Sequence, residues 1–429
     1  MSIEELLNLL ITNEEKGQGI INMVPSENNL TPISRLPLVC DIYNRYFFNN
    51  TANEKEWNFR GAQDIYEIET KVAVTLLKSL GKSTYVNLKP ISGLNAMILV
   101  LNALGGPKGS NIITISPEQG GHYATKDLAE SLGYHVDFMK GINEHTVDFE
   151  YLEVMLKEKT YSLVYVDQSN CLFPLNVELL VHKVRKCSPN TIIHIDASHW
   201  LGLILGEAME NPLELGADSF GGSTHKSFPG PQRAVYFTNN KQLNEKVKDA
   251  QYYMISSHHF GSVASLAIAL MEFKEKDGSG YAHQVIANAK MLGKTLDYLG
   301  YDVKGRELGY SQGNQIWMST SNIGIDSYEA SKRLSKCGIR VNVFDELPGT
   351  KSPILRIGVN EITHLGCNLQ NMEALAYIMD SIIQEKDDIK NLREQVKALK
   401  NGNIKKYVYD LNELGIRSNI YKLLNTIFK

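Results

Sequence analysis

The 429-residue chain lacks the features that mark membrane proteins and nucleic-acid-binding proteins. Its apolar run at residues 97–101 stops at Gly105-Gly106, far short of the roughly 20 residues that a membrane-spanning helix needs. Lys and Arg total 44 and Asp and Glu total 48, so the net charge of −4 gives no overall attraction to nucleic acid. We therefore expect a protein that binds neither membranes nor nucleic acid.

Cysteine is scarce, and the chain shows no metal-binding or secretion pattern. The five cysteines are scattered, odd in number and without the close spacing of zinc ligands. The adjacent pair His258-His259 is poorly placed to face one ion, so no metal site is predicted. The N-terminus is acidic and lacks the charged-then-apolar pattern of a signal peptide. These features predict a reducing, cytoplasmic location.

Short β-rich runs alternate with helical stretches along much of the chain. The clearest of these runs lie at residues 112–115, 163–166, 192–195 and 234–237. Strands that alternate with helices predict a mostly parallel sheet that is covered on both faces and binds ligands beyond the carboxyl ends of its strands. We predict an N-terminal arm at residues 1–29, a large domain at 30–275 and a smaller C-terminal domain at 276–429.

The segment Ser223-Thr224-His225-Lys226-Ser227 is the most informative stretch of the chain. Upstream of it, Asp196 ends an apolar strand. A lysine amine can hold an aldehyde as a Schiff base, and a carboxylate can keep a pyridine nitrogen protonated. Pyridoxal phosphate chemistry needs both groups, so the pairing predicts that cofactor and a reaction at the α-carbon of an amino acid. A solvated surface lysine and a helix-capping aspartate are the alternatives.

Four further features suit the same cofactor. His199 could donate to the cofactor's 3-hydroxyl, and the glycines of Gly120-Gly121-His122 would let the backbone approach a flat ring on which the imidazole stacks. Ser92-Gly93 precedes a helix whose first N–H groups could bind a phosphate. Arg356 lies inside an apolar run, where its guanidinium would suit a substrate carboxylate. The alternatives are a buried structural histidine, ordinary turns and a structural ion pair.

These pieces occur in the order and approximate spacing of the serine hydroxymethyltransferase family, which the chain resembles from about residue 20 to residue 370. The matching segments are Pro25-Ser26-Glu27-Asn28, Asn44-Arg45-Tyr46, Ser92-Gly93, Gly120-Gly121-His122, Asp196 with His199, Thr224-His225-Lys226, and Arg356. The resemblance implies an α/β protein of the aspartate aminotransferase fold (fold type I). It implies a large domain with a mostly parallel, seven-stranded sheet and a smaller α+β C-terminal domain.

The resemblance also assigns roles to individual residues. It implies catalytic roles for Lys226, Asp196, His122, His199, His225 and Tyr46. It implies cofactor contacts from Ser92, Gly93, His122, Ser169, Asp196, His199, Ser223, Lys226, Ser257 and His258. It implies substrate contacts from Ser26, Tyr46 and Arg356. The expected assembly is a homodimer with shared active sites, in which Tyr46 and the region at His258-His259 reach the neighbouring subunit.

The chain departs from the family at positions that serve folate-dependent transfer. Phe48 stands where the family has an acid–base glutamate, and Asn58-Phe59 stands where a Tyr-Tyr pair shapes the folate pocket. A phenylalanine cannot shuttle a proton. Gly230-Pro231-Gln232, Asp167-Gln168-Ser169 and Glu56-Trp57-Asn58-Phe59 look more like the L-threonine transaldolase branch of the superfamily, which works without folate.

The expected activity is cleavage of the Cα–Cβ bond of a β-hydroxy amino acid, followed by addition of the resulting carbanion to a small aldehyde. A tetrahydrofolate-dependent serine hydroxymethyltransferase is one alternative, and transamination, decarboxylation or racemisation on the same scaffold is another. A cofactor-free, inactive protein is the third. Because Phe48 replaces the glutamate, either a pocket histidine or the cofactor phosphate is expected to accept the β-hydroxyl proton.

Overall fold

A computed structural model describes residues 1–45, 53–60, 66–403 and 405–429. These residues form two compact units. The large unit comprises residues 28–283 and 407–429, and the small unit comprises residues 1–27 and 284–406. The N-terminal arm, which the sequence analysis set apart, thus groups with the small unit. The end of the chain, which it assigned to the C-terminal domain, groups with the large unit.

Within the described residues the strands are β1 Ile21–Asn22, β2 Tyr85–Asn87, β3 Asn111–Ile115, β4 His135–Met139, β5 Gly141–Asn143, β6 Thr146–Val147, β7 Leu163–Val166, β8 Ile192–Asp196, β9 Ser219–Ser223, β10 Ala234–Thr238, β11 Asp302–Val303, β12 Gln315–Ser319, β13 Ile339–Arg340, β14 Asn342–Phe344 and β15 Ile354–Gly358. The helices are α1 Ile3–Gln18, α2 Pro32–Arg35, α3 Val74–Leu80, α4 Gly93–Leu104, α5 Thr125–Ser131, α6 Phe149–Glu158, α7 Val177–Cys187, α8 Leu201–Leu205, α9 Lys241–Met254, α10 Phe260–Glu275, α11 Gly278–Tyr298, α12 Ser327–Lys336, α13 Asn360–His364, α14 Leu369–Ile383, α15 Ile389–Asn401 and α16 Arg417–Ile427.

The large unit is built on a seven-stranded sheet in the order β2-β10-β9-β8-β7-β3-β4. The five strands from β9 to β4 run parallel, and β10 is antiparallel to both of its neighbours. The strand β7 is buried along its whole length, as expected for a central strand covered on both faces. The predicted α/β fold with a mostly parallel, seven-stranded sheet is confirmed.

The sheet of the large unit brings three polar strand ends to one edge. Asp196 is the last residue of β8, Ser223 is the last residue of β9, and Asp167 directly follows β7. Because β7, β8 and β9 are parallel neighbours, their carboxyl ends meet at the same edge. This edge is where the sequence analysis expected a ligand site.

The helix α4 illustrates how the sequence builds the layer over the sheet. The Ser92 side chain accepts a hydrogen bond from the Asn95 amide at 3.1 Å and thereby caps the helix. Its apolar residues then recur at helical spacing and are buried at positions 96, 97, 99, 100, 101 and 104. The cap fixes the start of α4, and Gly93 in its first turn lies at the same end of the unit as the polar strand ends.

The small unit carries a four-stranded antiparallel sheet in the order β11-β12-β15-β14. The strands β1 and β13 form a separate parallel pair, with Ile21 opposite Ile339. This pairing ties the N-terminal arm to the second half of the chain. Within the residues that the structure describes, no helix combines the length and the apolar character needed to cross a membrane.

Candidate active site

A cavity of about 200 Å³ opens at the carboxyl edge of the large unit's sheet. Eight of the residues to which the sequence analysis gave a site role line it: Gly93, His122, Ser169, Asp196, His199, Ser223, His225 and Lys226. They come from five separate stretches of the chain, so the fold, and not sequence proximity, brings them together. Leu94, Met97, Asp167, Gln168 and Ser198 complete the lining.

The Asp196 carboxylate is held by three donors. One oxygen accepts hydrogen bonds from the Ser198 amide at 2.9 Å and the Ser198 hydroxyl at 2.6 Å. The other oxygen accepts from the Tyr165 hydroxyl at 2.9 Å. Burial, together with the negative charge of Asp196, raises the pKa of Tyr165 well above its ordinary value of 10, so this tyrosine stays protonated and remains a donor. The three bonds fix the orientation of the carboxylate.

The turn around Lys226 is fixed by backbone bonds. The Thr224 hydroxyl donates to the Pro231 carbonyl at 2.6 Å, and the Gly230 amide donates to the Thr224 carbonyl at 2.9 Å. Beside the lysine, burial and the nearby lysine charge lower the pKa of His225 to about 4, so its imidazole is neutral at neutral pH. Its buried Nδ1 has no hydrogen-bond partner among the described residues. A neutral imidazole therefore lies beside Lys226.

The loop that carries His122 requires glycine at two positions. Gly120 adopts a φ of +92°, and a Cβ there would lie 2.3 Å from the Asn170 carbonyl oxygen. A Cβ on Gly121 would lie 2.1 Å from the Ile115 carbonyl oxygen. The His122 Nδ1 accepts from the Ala124 amide at 3.2 Å, which sets the orientation of the ring. Burial lowers the pKa of His122, so this imidazole also favours its neutral form.

The first turn of α4 has no room for a side chain at Gly93. A Cβ on Gly93 would lie 2.3 Å from the Ser223 hydroxyl, itself 3.3 Å from the Ser198 hydroxyl. The start of this 12-residue helix can bind an anion through its free N–H groups and its dipole. A lysine, a fixed carboxylate, a buried unpartnered imidazole nitrogen and an anion-binding helix start share one cavity. These residues fit pyridoxal phosphate.

Two residues with predicted substrate roles, Ser26 and Arg356, lie in the small unit. Arg356 is buried in β15, where its guanidinium carbon lies 4.7 Å from the centre of the Phe344 ring, and burial lowers its pKa to about 10. Ser26 follows Pro25, whose carbonyl accepts hydrogen bonds from the Asn314 amide group at 3.1 Å and the Asn360 amide group at 2.9 Å. The small unit thus holds both residues in ordered segments, and their substrate roles remain predictions.

Three described residues with predicted cofactor roles, Ser92, Ser257 and His258, are not part of the cavity lining. The Ser92 hydroxyl caps α4, Ser257 is exposed, and His258 is buried against Glu69, with 2.7 Å between Nε2 and a carboxylate oxygen. The cofactor roles of Ser257 and His258 were expected across a dimer, so the single chain leaves them as predictions. Tyr46 and Phe48 lie outside the described residues.

The sequence analysis missed Tyr165, Ser198 and a role for the Asp167 side chain. Tyr165 occurs inside an apolar strand, where the sequence pattern indicates only a core residue. Burial raises the pKa of Asp167 well above its ordinary value, although the Thr125 hydroxyl, the His122 backbone and the Thr114 hydroxyl all donate to it. The available signals for Asp167 were its position directly after a strand and the resemblance of Asp167-Gln168-Ser169 to the transaldolase branch, and neither indicated what its side chain does. Among the described residues, no cluster of His, Cys, Asp and Glu is arranged to hold a metal ion.

Comparisons with known proteins agree with the geometry. The sequence model of the serine hydroxymethyltransferase family matches residues 1–379. An L-threonine:uridine-5'-aldehyde transaldolase from a Streptomyces species is 41% identical over 92% of this chain and 96% of its own length. A second protein of that name, from an Amycolatopsis species, is 40% identical over 87% of this chain and 90% of its own length.

More distant relatives mark the breadth of the group. A serine hydroxymethyltransferase from Archaeoglobus fulgidus is 34% identical over 92% of this chain and 90% of its own length. A crystal structure of L-threonine transaldolase from Pseudomonas fluorescens, in its internal aldimine state, covers 98% of this chain and 97% of its own at a TM-score of 0.86 and 23% identity. That likeness confirms the fold. The chain belongs to the serine hydroxymethyltransferase family and is a pyridoxal phosphate-dependent enzyme.

Proposed function

We propose that the enzyme cleaves the Cα–Cβ bond of L-threonine and transfers the remaining glycyl unit to an aldehyde, without folate. The observation that carries this proposal is the convergence of Lys226, Asp196, His122 and His225 on one cavity. Three relatives at 39–41% identity are L-threonine:uridine-5'-aldehyde transaldolases, whereas the serine hydroxymethyltransferase from Archaeoglobus fulgidus stands at 34%. We therefore propose a nucleoside 5'-aldehyde of the uridine type as the acceptor.

The cavity residues have distinct tasks in this proposal. Bound pyridoxal phosphate supplies an aromatic electron sink that stabilises negative charge at Cα when the Cα–Cβ bond breaks. Lys226 holds the cofactor through its amine, and Asp196 holds a proton on the ring nitrogen. The start of α4 at Gly93 binds the phosphate. His122 supports the ring face, while Ser169, Ser223 and His199 are further polar groups for the cofactor.

The remaining tasks concern the amino acid itself. Arg356 and Ser26 bind the substrate carboxylate, which fixes the orientation of Cα. His225 accepts the β-hydroxyl proton, since it lines the cavity beside Lys226 and its ring is neutral at neutral pH. The same histidine returns the proton when the new carbon–carbon bond forms. His225 would thus take the acid–base role of the glutamate that the family has at the position of Phe48.

The decisive experiment is a set of parallel assays of the purified enzyme. L-threonine, L-serine and glycine are each supplied with and without tetrahydrofolate, and with and without uridine-5'-aldehyde. We expect acetaldehyde, trapped by alcohol dehydrogenase, from L-threonine alone, and a new β-hydroxy amino acid when the acceptor is present. Tetrahydrofolate should change neither rate.

The second candidate is serine hydroxymethyltransferase activity, which the family match and the 34% identical relative favour. It predicts exchange between serine and glycine that depends on tetrahydrofolate. That result, with no acetaldehyde from L-threonine, would overturn the transaldolase proposal. A colourless protein that shows no absorbance removable by borohydride would overturn both candidates.

The assembly and location stay proposals. We propose a cytoplasmic homodimer in which Tyr46 and the exposed Ser257 serve the neighbouring subunit's site, while the His258 side chain stays bonded to Glu69. All five cysteines are free thiols, which suits a reducing compartment. The helix α1 is exposed along its length, with Leu7, Leu9 and Leu10 each more than half exposed, and offers an apolar face to a second subunit. Size-exclusion chromatography with light scattering tests the dimer.

A further inference from the structure

Two side chains hold the backbone of the lysine turn from outside the cavity. The Asn28 side-chain amide donates to the Lys226 carbonyl at 2.8 Å and to the Tyr281 hydroxyl at 3.1 Å. The Tyr281 hydroxyl in turn donates to the Ser227 carbonyl at 2.7 Å. Tyr281 is 1% exposed. Two successive carbonyl groups, one of them on Lys226 itself, are thus fixed by one small hydrogen-bond network.

The end of the chain supports this network. The Tyr407 ring packs edge-on against the Tyr281 ring with 5.7 Å between centroids, and Phe273 packs against Tyr281 at 6.1 Å. Tyr407 is itself buried. Tyr281 is therefore enclosed by aromatic rings while its hydroxyl reaches the lysine turn.

The segment that carries Tyr407 is attached to α10. The Tyr409 amide donates to a Glu272 carboxylate oxygen at 2.7 Å, and the Tyr409 hydroxyl donates to a Glu275 carboxylate oxygen at 2.6 Å. This segment lies beyond residue 379, where the family match ends. The family match therefore gives no expectation for the contacts of Tyr407 and Tyr409.

We propose that Tyr281 and Asn28 are positioning residues for Lys226, and that Tyr407 keeps Tyr281 in place. Fixed peptide planes in the lysine turn narrow the range of positions that the Lys226 amine samples, because each flexible backbone angle would widen that range. The two carbonyl bonds fix the planes on both sides of Ser227. The inference rests on the proposed role of Lys226 as the cofactor-binding lysine.

The test replaces one hydroxyl group. Tyr281→Phe keeps the ring packing and removes the bond to the Ser227 carbonyl. We expect the rate at which the holoenzyme loses its visible cofactor absorbance on dilution to rise about tenfold, and kcat to fall about tenfold, since a factor of ten corresponds to one well-formed hydrogen bond. Asn28→Leu removes the donations to the Lys226 carbonyl and to the Tyr281 hydroxyl but leaves the bond from Tyr281 to the Ser227 carbonyl, and it should act in the same direction.

The matched control is Tyr134→Phe. Tyr134 is also buried in the large unit, and its hydroxyl also donates to a backbone carbonyl, that of Gly106 at 3.2 Å. This control should lower the unfolding temperature without changing cofactor dissociation. If Tyr281→Phe also lowers only the unfolding temperature, the inference is overturned. If the wild-type enzyme shows no borohydride-reducible absorbance, the proposed role of Lys226 fails instead, so the two failures are distinguishable.

The contribution of the chain's end has its own pair of variants. Tyr407→Ala removes the ring that packs on Tyr281, and Tyr407→Phe retains it. Tyr421→Ala alters a tyrosine of α16 that is 65% exposed. We expect faster cofactor loss only in Tyr407→Ala. Equal rates in Tyr407→Ala and Tyr421→Ala would remove the end of the chain from the proposal, and Tyr407→Leu provides the same comparison if the alanine variant does not fold.

Discussion

The large unit contains two sets of one lysine, one histidine and one carboxylate, and the two sets differ in what their side chains bind. The cavity set is Lys226, His225 and Asp196, which line the cavity at the sheet edge. The buried cluster is Lys89, His258 and Glu69. In it, Lys89 and His258 each bond to a different oxygen of Glu69, and the lysine and histidine nitrogens lie 3.2 Å apart.

The comparison shows that residue types alone do not make a site. The members of the buried cluster form hydrogen bonds and ion pairs with one another. These bonds join the helical turn at residue 69, the end of β2 and the start of α10. In the cavity set, Tyr165 and Ser198 orient the Asp196 carboxylate. The Nδ1 atom of His225 has no hydrogen-bond partner among the described residues. The first arrangement stabilises the fold, whereas the second leaves groups available to a ligand.

The electrostatics of the two sets differ for the same reason. Burial raises the pKa of Glu69, but the charge of Lys89 and the bond from His258 outweigh it and lower that pKa to about 2. The Glu69 carboxylate thus stays ionised and bonded to Lys89 and His258. Burial lowers the pKa of His225 to about 4 with no carboxylate bonded to it, which leaves a neutral base.

The largest expected effect separates the two lysines. Lys226→Ala should abolish turnover and the borohydride-reducible absorbance, because no other described residue of the cavity lining carries an amine, while the urea midpoint stays near the wild-type value. Lys89→Ala should keep the absorbance but lower the free energy of unfolding by roughly 3 kcal/mol, since it leaves Glu69 buried without its main partner. Steady-state assays and urea unfolding measure both. Turnover in Lys226→Ala would contradict the site assignment.

The next effect separates the two carboxylates. Asp196→Ala should reduce kcat by roughly 10³-fold, because the ring nitrogen loses the group that keeps it protonated. Glu69→Gln should leave kcat within a few-fold of wild type and lower stability instead. The absorbance spectrum of each holoenzyme checks that cofactor is bound. Equal loss of kcat in the two variants would erase the distinction between the sets.

A smaller effect separates the two histidines. His225→Gln should reduce kcat with L-threonine by roughly 10²-fold, since the β-hydroxyl proton loses its acceptor. His258→Gln keeps an amide to bond Glu69 and should retain most of the activity. Stopped-flow measurement of acetaldehyde release distinguishes the chemical step from product release. Unchanged release in His225→Gln would direct attention to His122, His199 or the cofactor phosphate as the acceptor.

The sequence was informative about the site wherever the chemistry lies in one short segment. Lys226 and its flanking residues, the strand-ending Asp196 and the glycines before His122 are all contiguous signals. Tyr165 could not be recognised, because its role depends on β7 lying beside β8, where Tyr165 pairs with His194 two residues from Asp196. Nothing in a run of apolar letters reveals which hydroxyl meets a neighbouring strand's carboxylate.

The same limit applies to the fold. The buried strands were predictable because their apolar runs are local, and the parallel sheet followed from their alternation with helices. The grouping of the chain's ends was not predictable, since it depends on distant partners: Ile21 pairs with Ile339, and Tyr409 bonds to Glu272. His258 shows the effect at a single residue, because only contact with Glu69, 189 positions away, reveals its bonds.

The smallest expected effect is a pH dependence of stability that belongs to the buried cluster. Burial, with the nearby positive charges of Lys89 and Arg233, lowers the pKa of His258 despite its bond to Glu69. Below the unfolded-state pKa of 6.5, the unfolded chain therefore binds a proton that the folded chain excludes, and stability falls as the pH decreases. His258→Gln has no such titration. Its stability deficit relative to wild type should narrow by up to about 1.4 kcal/mol per pH unit below pH 6.5.

Urea midpoints of wild type and His258→Gln at pH 7.5 and pH 5.5 measure this difference directly. Because the remaining titratable groups are common to both proteins, most of their contributions cancel in the comparison. The same urea midpoints are measured for His225→Gln, because His225 also has a lowered pKa but lines the cavity. This comparison shows whether the pH dependence is specific to a histidine that is bonded inside the buried cluster. Binding of the phosphate-bearing cofactor should change the pH dependence of His225 and leave that of His258 unaltered. A His258→Gln deficit that stays constant or widens at pH 5.5 would mean that His258 takes up a proton in the folded enzyme, which would contradict its lowered pKa.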